Sequence, residues 1–332
     1  MPANIMNVNG VDLGAFGGTE PWHKLGQSLP GDVATVDEVF RVLPELDFDV
    51  KLEPMILQSG AKSSRLHAIV ASGEGWANVL GTATKRYTPH QPRQAADVIQ
   101  DLVGQSRATI HTAGALGDGE CVWFLCKLPD EIVINPKEIY RKYLLFTVYN
   151  DGRRGTRVRM VYTRVVCGNT MAVALNEQVD HEVKIYHRSG DILASRDAIA
   201  NTFGIITESQ KEAEAALRLL YSSKAGSAQV GQYFQELYPT PEGSKRDRAG
   251  AIRGSLIDYY ENGRGMEGAI RGTWAQALNA VTEYVDHNAI DNGDRMKLTG
   301  KRVATSARSA LWGTGADIKK RAFGLALEMA TV

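Results

Sequence analysis

Up to about residue 190 the chain is dominated by short runs of β-branched and aromatic residues, and beyond it by apolar residues at helical spacing. The short runs predict strands over 47–52, 65–71, 77–84, 108–112, 121–128, 144–149 and 157–166. Between them, Ser72-Gly73-Glu74-Gly75, Gly117-Asp118-Gly119 and Asn150-Asp151-Gly152 supply the residues tolerant of positive φ that hairpin loops need, so the pairing is expected to be antiparallel. Helices are predicted over 36–43, 91–102 and 170–176. In the second half, Ile270, Trp274, Ala277, Leu278, Val281, Tyr284 and Val285 fall on one helical stripe. Thr273 and Gln276 can form a capping box at its start, with Ile270 in the preceding turn. Further helices are expected over 195–203, 208–222, 227–237, 246–261, 296–311 and 317–329, with Pro239 and Pro241 breaking the series.

The fold class that follows is α+β, an antiparallel hairpin-rich sheet in the N-terminal half and a helical layer or bundle in the C-terminal half. Residues 1–30 read as an irregular segment, 31–190 as the β-rich region and 191–332 as the helical region, either separate or packed on the same sheet as one domain. No run of about 18 apolar residues occurs, and the first thirty residues lack the basic start and apolar run of a secretory signal. The expectation is a cytoplasmic protein of a bacterial host, with no membrane partner.

With 43% apolar residues and three Cys in 332, the chain is neither disordered nor a disulfide scaffold. Its 38 Lys plus Arg equal its 38 Asp plus Glu, which excludes a uniformly basic nucleic-acid protein. The charges are nevertheless segregated. Seven acids and two bases lie between Asp32 and Glu53, and eight bases face one acid between Arg295 and Arg321. Between Gly152 and Asn169 there are five Arg (Arg153, Arg154, Arg157, Arg159, Arg164) and no acid. That cluster starts in a hairpin tip and runs onto a strand, where Arg157 and Arg159 share a face. Arg forks bind phosphate bidentately and stack on bases, so the cluster suits a nucleic-acid backbone, and Lys85, Arg86 and Tyr87 offer a second contact with one aromatic platform. The same residues also read as solvated hairpin positions, some paired with the acidic 32–53 segment, or as one half of a head-to-tail oligomer interface.

Motifs of chemistry are weak. Gly263-Arg264-Gly265-Met266-Glu267-Gly268 has the dinucleotide pattern but follows a helical stretch, whereas that fingerprint follows a buried strand, so it reads as a loop between helices. No phosphate-loop, nucleophile-elbow or zinc-spacing motif is present, and neither a cofactor, a metal nor a catalytic residue is assigned. Cys121 and Cys126 read as core side chains, and Cys167 as a buried residue closing a strand. Asp47, Asp49 and Glu53 alternate along one predicted strand, so three carboxylates for a metal-dependent nuclease are conceivable, although an exposed strand face with Lys51 beside them is the plainer reading.

Leu80-Gly81-Thr82-Ala83-Thr84-Lys85-Arg86-Tyr87 with Gln91, Thr163-Arg164-Val165-Val166-Cys167-Gly168-Asn169-Thr170-Met171-Ala172, and Trp274 through Tyr284 with Asp286-His287 resemble the widespread phage/plasmid-like protein family, a domain of unknown function. Trp22-His23-Lys24-Leu25-Gly26 is similar to that family's start. The resemblance implies a home on phages, prophages and conjugative plasmids and carries no enzymatic activity with it. Mobile elements pass through single-stranded DNA, and their annealing recombinases combine antiparallel hairpins with helices and form rings, an analogy at the level of fold alone. The expectation is therefore a homo-oligomeric protein that binds single-stranded DNA and anneals complementary strands. The alternatives are a non-enzymatic protein-interaction or anti-defence factor and, after it, the nuclease.

Overall fold

The structure is a computed structural model that describes residues 5–18, 26–29, 31, 34–106, 109–164, 170–171, 182–188, 192, 211–240, 248–291 and 314–331. It is a mixed α+β protein, with antiparallel hairpins in the N-terminal half and helices in the C-terminal half. All seven strands read from the pattern are present, several of them longer than the apolar run that announces them.

Three of these strands, β5 (Asp49–Ile56), β6 (Lys62–Gly73) and β7 (Trp76–Thr84), form an antiparallel sheet in the order β5-β6-β7. The others build a larger sheet that has eight strands among the described residues. Its centre is a meander of β8 (Thr109–Leu116), β9 (Cys121–Asn135), β10 (Glu138–Tyr149) and β11 (Thr156–Arg164). After a two-stranded hairpin of β1 (Asn7–Val8) and β2 (Val11–Asp12), short strands β3 (Gly14–Phe16) and β4 (Gln27–Ser28) extend the large sheet beyond β8. At the other edge β12 (Thr170–Met171) and β13 (Glu182–Ile185) both pair with β11. The helix expected over 170–176 is corrected at its start: Thr170 and Met171 extend the sheet opposite Thr163 and Tyr162, because the backbone groups of β11 offer them ladder partners that local helical propensity cannot match. Residues 172–176 and the helices expected over 195–203 and 296–311 lie outside the described residues.

Alternation of side chains sends Leu144, Phe146 and Val148 of β10 to one face of the large sheet and Tyr143, Leu145 and Tyr149 to the other. The first face carries the main core, which takes in Ala95, Val98 and Ile99 of helix α2 (Pro92–Ser106) and Val50, Ile69 and Ala71 of the smaller sheet. The same continuous set of buried residues runs on into the helical half through Leu217 and Leu220 of the helix 211–222, Tyr233 of the helix Ser227–Leu237, Trp274 and Val281 of the helix Trp274–Asp291, and Phe323 of the helix Thr314–Thr331. Polar contacts accompany it. Tyr221 donates to Glu138 at 2.8 Å, its hydroxyl lies 3.1 Å from that of Tyr140, and Arg218 donates to the carbonyl of Val133 at 2.9 Å.

The helix Trp274–Asp291 follows a 3₁₀ turn that contains Ile270, as the pattern requires. Its cap differs from a reciprocal box by one residue: Thr273 accepts from the N–H of Gln276 at 3.4 Å, while the Gln276 side-chain oxygen accepts from the N–H of Gly272 rather than Thr273, at 2.6 Å. Gly263–Gly268 is the loop after the helix Arg248–Asn262, and its Arg264 N–H donates to the buried carboxylate of Glu283.

Candidate functional site

The β10–β11 turn, Asn150 to Gly155, docks onto β7 of the smaller sheet, and glycine makes the approach possible. A Cβ on Gly81 would run into the carbonyl oxygen of Asp151, and one on Gly152 into that of Thr82. Gly152 also has φ +74°, which L side chains rarely adopt. Asp151 shapes the turn: one carboxylate oxygen accepts the N–H groups of Arg153 and Arg154, each at 2.9 Å, and the other accepts Arg154 Nε at 2.7 Å. Burial by itself would raise the Asp151 pKa, but these hydrogen bonds and the guanidinium outweigh it and hold the carboxyl below its ordinary value. The Arg154 guanidinium also lies 3.9 Å above the Tyr149 ring.

Fully buried Asn150 ties this turn to the segment after β7. Its amide donates to the carbonyl of His90 at 2.8 Å, and its side-chain oxygen accepts the His90 N–H at 3.2 Å and the Tyr87 hydroxyl at 3.3 Å. Three rings stack beside it, Tyr87 on His187 with centroids 4.4 Å apart and His187 on His90 at 4.0 Å. His187 Nδ1 lies 3.0 Å from the carbonyl of Thr88, so that nitrogen carries a proton, and the Thr88 N–H donates back to the His187 carbonyl at 2.7 Å. Burial lowers the pKa of His187, against the opposing pull of the Thr88, Tyr149 and Arg154 backbone and of Asp151. Burial, helped by the Asp151 charge, drives the Tyr87 phenol well above its ordinary value, so it stays a neutral hydrogen-bond donor and is not poised as a nucleophile. Gln91 completes the stitching: its side chain exchanges two hydrogen bonds with the backbone of Val50, at 2.9 and 2.8 Å, and so takes the place of a neighbouring strand on the outer edge of β5.

The expected site residues thus fall into two groups. Tyr87, which shares the turn after β7 with Lys85 and Arg86, donates to Asn150 at the root of the tip that carries Arg153 and Arg154, sixty-odd residues away in sequence. Lys85, Arg86 and Arg153 are exposed, whereas Tyr87 is stacked on His187 and Arg154 is held by Asp151. Arg157 and Arg159 lead away along β11, half-buried, opposite Thr147 and Leu145 of β10 and Lys184 and Glu182 of β13. Arg164 ends β11 opposite Tyr140, and its side chain lies outside the described residues. A cleft of about 480 Å³ runs beside Val79–Thr82 and is walled by Asp118, Glu120, Asp151, Arg153 and Arg154.

The acidic 32–53 segment does not supply the tip's partner among the described residues. Arg154 pairs within its own turn, Asp49 pairs with Lys51 at 2.6 Å, and Asp37 lies 3.7 Å from Arg93. Asp47 precedes β5, so only Asp49 and Glu53 of the three proposed carboxylates stand on that strand. Cys126 is fully buried, which pushes its thiol up to about 12, and Cys121 is buried as well, while Cys167 lies outside the described residues. Of the C-terminal bases, Arg295 to Arg308 are outside the described residues, and Lys319 is buried in an ion pair with Asp286 at 2.6 Å. Asn150, His187 and His90, whose Nδ1 lies 2.7 Å from the Thr156 hydroxyl, carry no signal of these contacts in the sequence. His187 sits ninety-nine positions from the carbonyl it faces, and only the turn signal at Asn150 pointed to the region.

The family model for a domain of unknown function, DUF932, matches residues 79–312. No curated protein and no solved structure matches the chain. The matched range takes in Gly81, Tyr87, Asn150, Arg153 and His187 of the junction as well as the helix Trp274–Asp291, and it spans more than half of the 332 residues: the protein belongs to the DUF932 family.

Proposed function

We propose that this protein, of phage or plasmid origin and working in the cytoplasm of a bacterial host, binds single-stranded DNA without transforming it and anneals complementary strands as a homo-oligomer. The observation that carries the reading is the bond of Tyr87 to Asn150, which ties the turn bearing exposed Lys85 and Arg86 to the tip bearing exposed Arg153 although the two are remote in sequence. Their cationic heads remain available to phosphates, whereas Arg154 and Tyr87, already engaged, position the tip. Arg157 and Arg159 extend the same basic turn along β11.

Fluorescence anisotropy with a labelled oligonucleotide tests it. Binding at micromolar protein in low salt is expected, weakening as salt rises and with little preference for sequence. Replacing Lys85, Arg86 and Arg153 together by Ala should flatten the log–log salt dependence by about 2, at roughly 0.7 for each single-strand phosphate that no longer meets a cation. Absence of binding by the wild-type chain sinks the proposal. A protein-binding role draws on a different observation, exposed Val79 on β7 beside the cleft, and predicts a partner whose binding is insensitive to those three substitutions.

A further inference from the structure

The strongest unassigned feature lies at the end of the smaller sheet remote from the Gly73–Trp76 turn. The last β5–β6 pair there is Ile56 with Lys62, closed by a turn in which the Leu57 N–H donates to the Ala61 carbonyl at 2.9 Å. The last β6–β7 pair is Leu66 with Thr84, so Arg65 and Lys85 are the next residues on either strand, and Arg86 follows. Lys62, Arg65, Lys85 and Arg86 are all exposed, and no ion pair holds any of them among the described residues. The sequence contains no Asp or Glu from Pro54 to Gly73 or from Gly75 to Ala96, and Glu53, opposite Ala68, is the nearest acid along β5. Three large aliphatic side chains of the same strand ends stand in water: Ile56, which pairs with Lys62, at 58%, Leu57 at 64% and Leu66 at 41% exposure.

Exposed aliphatic groups and cations carried on the same strand ends, with no acid in the loops that carry them, match a partner that is both polyanionic and able to cover apolar surface. Nucleic acid answers both demands, with phosphates for the cations and base faces for the aliphatic groups. Leu and Ile wedge against bases without aromatic stacking, as minor-groove architectural proteins show. A paired duplex must first unstack to admit such a wedge, whereas a single strand offers its base faces at little cost. An anionic membrane is the poorer match: three aliphatic side chains carry fewer carbons than one acyl chain, which itself holds a protein to a bilayer only marginally.

We infer that this end of the smaller sheet is where the bases of a bound single strand are held, with Lys62, Arg65, Lys85 and Arg86 on phosphates and Ile56, Leu57 and Leu66 against base faces. The inference rests on the proposed single-strand binding and adds to it a second region of contact, with Lys62 and Arg65, beyond the junction.

Two double variants of the full chain separate the two kinds of interaction. Lys62→Ala with Arg65→Ala should lower the slope of log affinity against log salt by about 1.4, since two phosphates no longer meet a cation. Ile56→Ser with Leu57→Ser should weaken binding about fivefold and leave that slope unchanged, since no charge is altered. All four side chains are exposed, so thermal unfolding and circular dichroism should match the wild type and certify both variants as folded. A wild-type chain that does not bind the oligonucleotide overturns the proposed function itself. Wild-type binding that both variants preserve in affinity and slope overturns the role of this sheet end and leaves the function standing. Tighter binding to the matching duplex than to the single strand also overturns it, as does sedimentation with phosphatidylserine vesicles that the variants abolish while oligonucleotide binding is unaffected.

Discussion

Asn150→Ala removes the hub that joins the β10–β11 turn to the segment after β7. The wild-type side chain is 0% exposed and makes two hydrogen bonds with the His90 backbone, at 2.8 and 3.2 Å, besides the one from Tyr87 at 3.3 Å. Removing the partner of a buried polar group costs about 1–3 kcal/mol for each group left unsatisfied, because water does not replace it freely. With two backbone groups affected, the variant should be destabilised by about 2–6 kcal/mol, a large part of the 5–15 kcal/mol that holds a typical protein folded. Tyr87→Phe deletes the longest of the three bonds together with the weak 3.5 Å bond of the same hydroxyl to the Tyr149 carbonyl, and should cost about 1 kcal/mol. Urea unfolding followed by tryptophan fluorescence measures both, and the slope with denaturant should stay constant if only the native state changes. Since Tyr87 and Asn150 share a bond, the double variant should be destabilised by less than the sum of the two. A cost below about 1 kcal/mol for Asn150→Ala at constant slope would refute the role of Asn150 as the hub.

Three further outcomes are expected from the same geometry. Gly152→Ala combines a positive φ with a Cβ that meets the Thr82 carbonyl and should lower the melting temperature clearly more than Gly75→Ala, where φ is +76° but no atom lies within 4 Å; equal effects would remove the case for close backbone approach at the junction. The folded pKa of His187 lies below its ordinary 6.5, so between the two values the unfolded chain binds more protons and stability rises with pH. The His187 contribution is therefore whole above about pH 6.5 and fades as pH falls through the folded value, and His187→Gln should flatten the melting temperature between pH 7.5 and pH 5. Lys319→Ala strips the Asp286 carboxylate of its ion-pair partner and should cost about 3–5 kcal/mol in thermal or chemical unfolding, with much of that recovered when Asp286→Leu is combined with Lys319→Met.

Legibility followed the physical range of each interaction. Hairpin loops at Gly73-Glu74-Gly75, Gly117-Asp118-Gly119 and Asn150-Asp151-Gly152 were readable because positive φ is a property of the residue itself, and these glycines adopt it at 75, 117, 119 and 152. The stripe from Ile270 to Val285 was readable for its apolar face alone. Gln276, Asn279, Thr282 and Glu283 on the remaining faces are buried too, since loops and neighbouring helices surround the helix on every side, and no local periodicity announces that. Tyr87 shows the limit at the candidate site: beside Lys85 and Arg86 it looks like a platform for bases, but a His one hundred residues later occupies its face. Lys62 and Arg65 give no signal in the sequence because two bases in twenty residues form no cluster, and only strand pairing sets Arg65 beside Lys85.

Local pattern along the chain dictates the α+β class, the antiparallel pairing and the turns, because side-chain alternation and backbone permissiveness act over a few neighbouring residues. It also shows the absence of acids from the segments that flank Lys62, Arg65, Lys85 and Arg86. Which charges stay in water and which are consumed depends on long-range packing, since Arg154 and Lys319 meet carboxylates while Lys85, Arg86 and Arg153 remain exposed. Charge counts are sums along the chain, whereas pairing depends on distances of a few ångströms, and those are set by the glycines at 81 and 152 that let the two sheets touch.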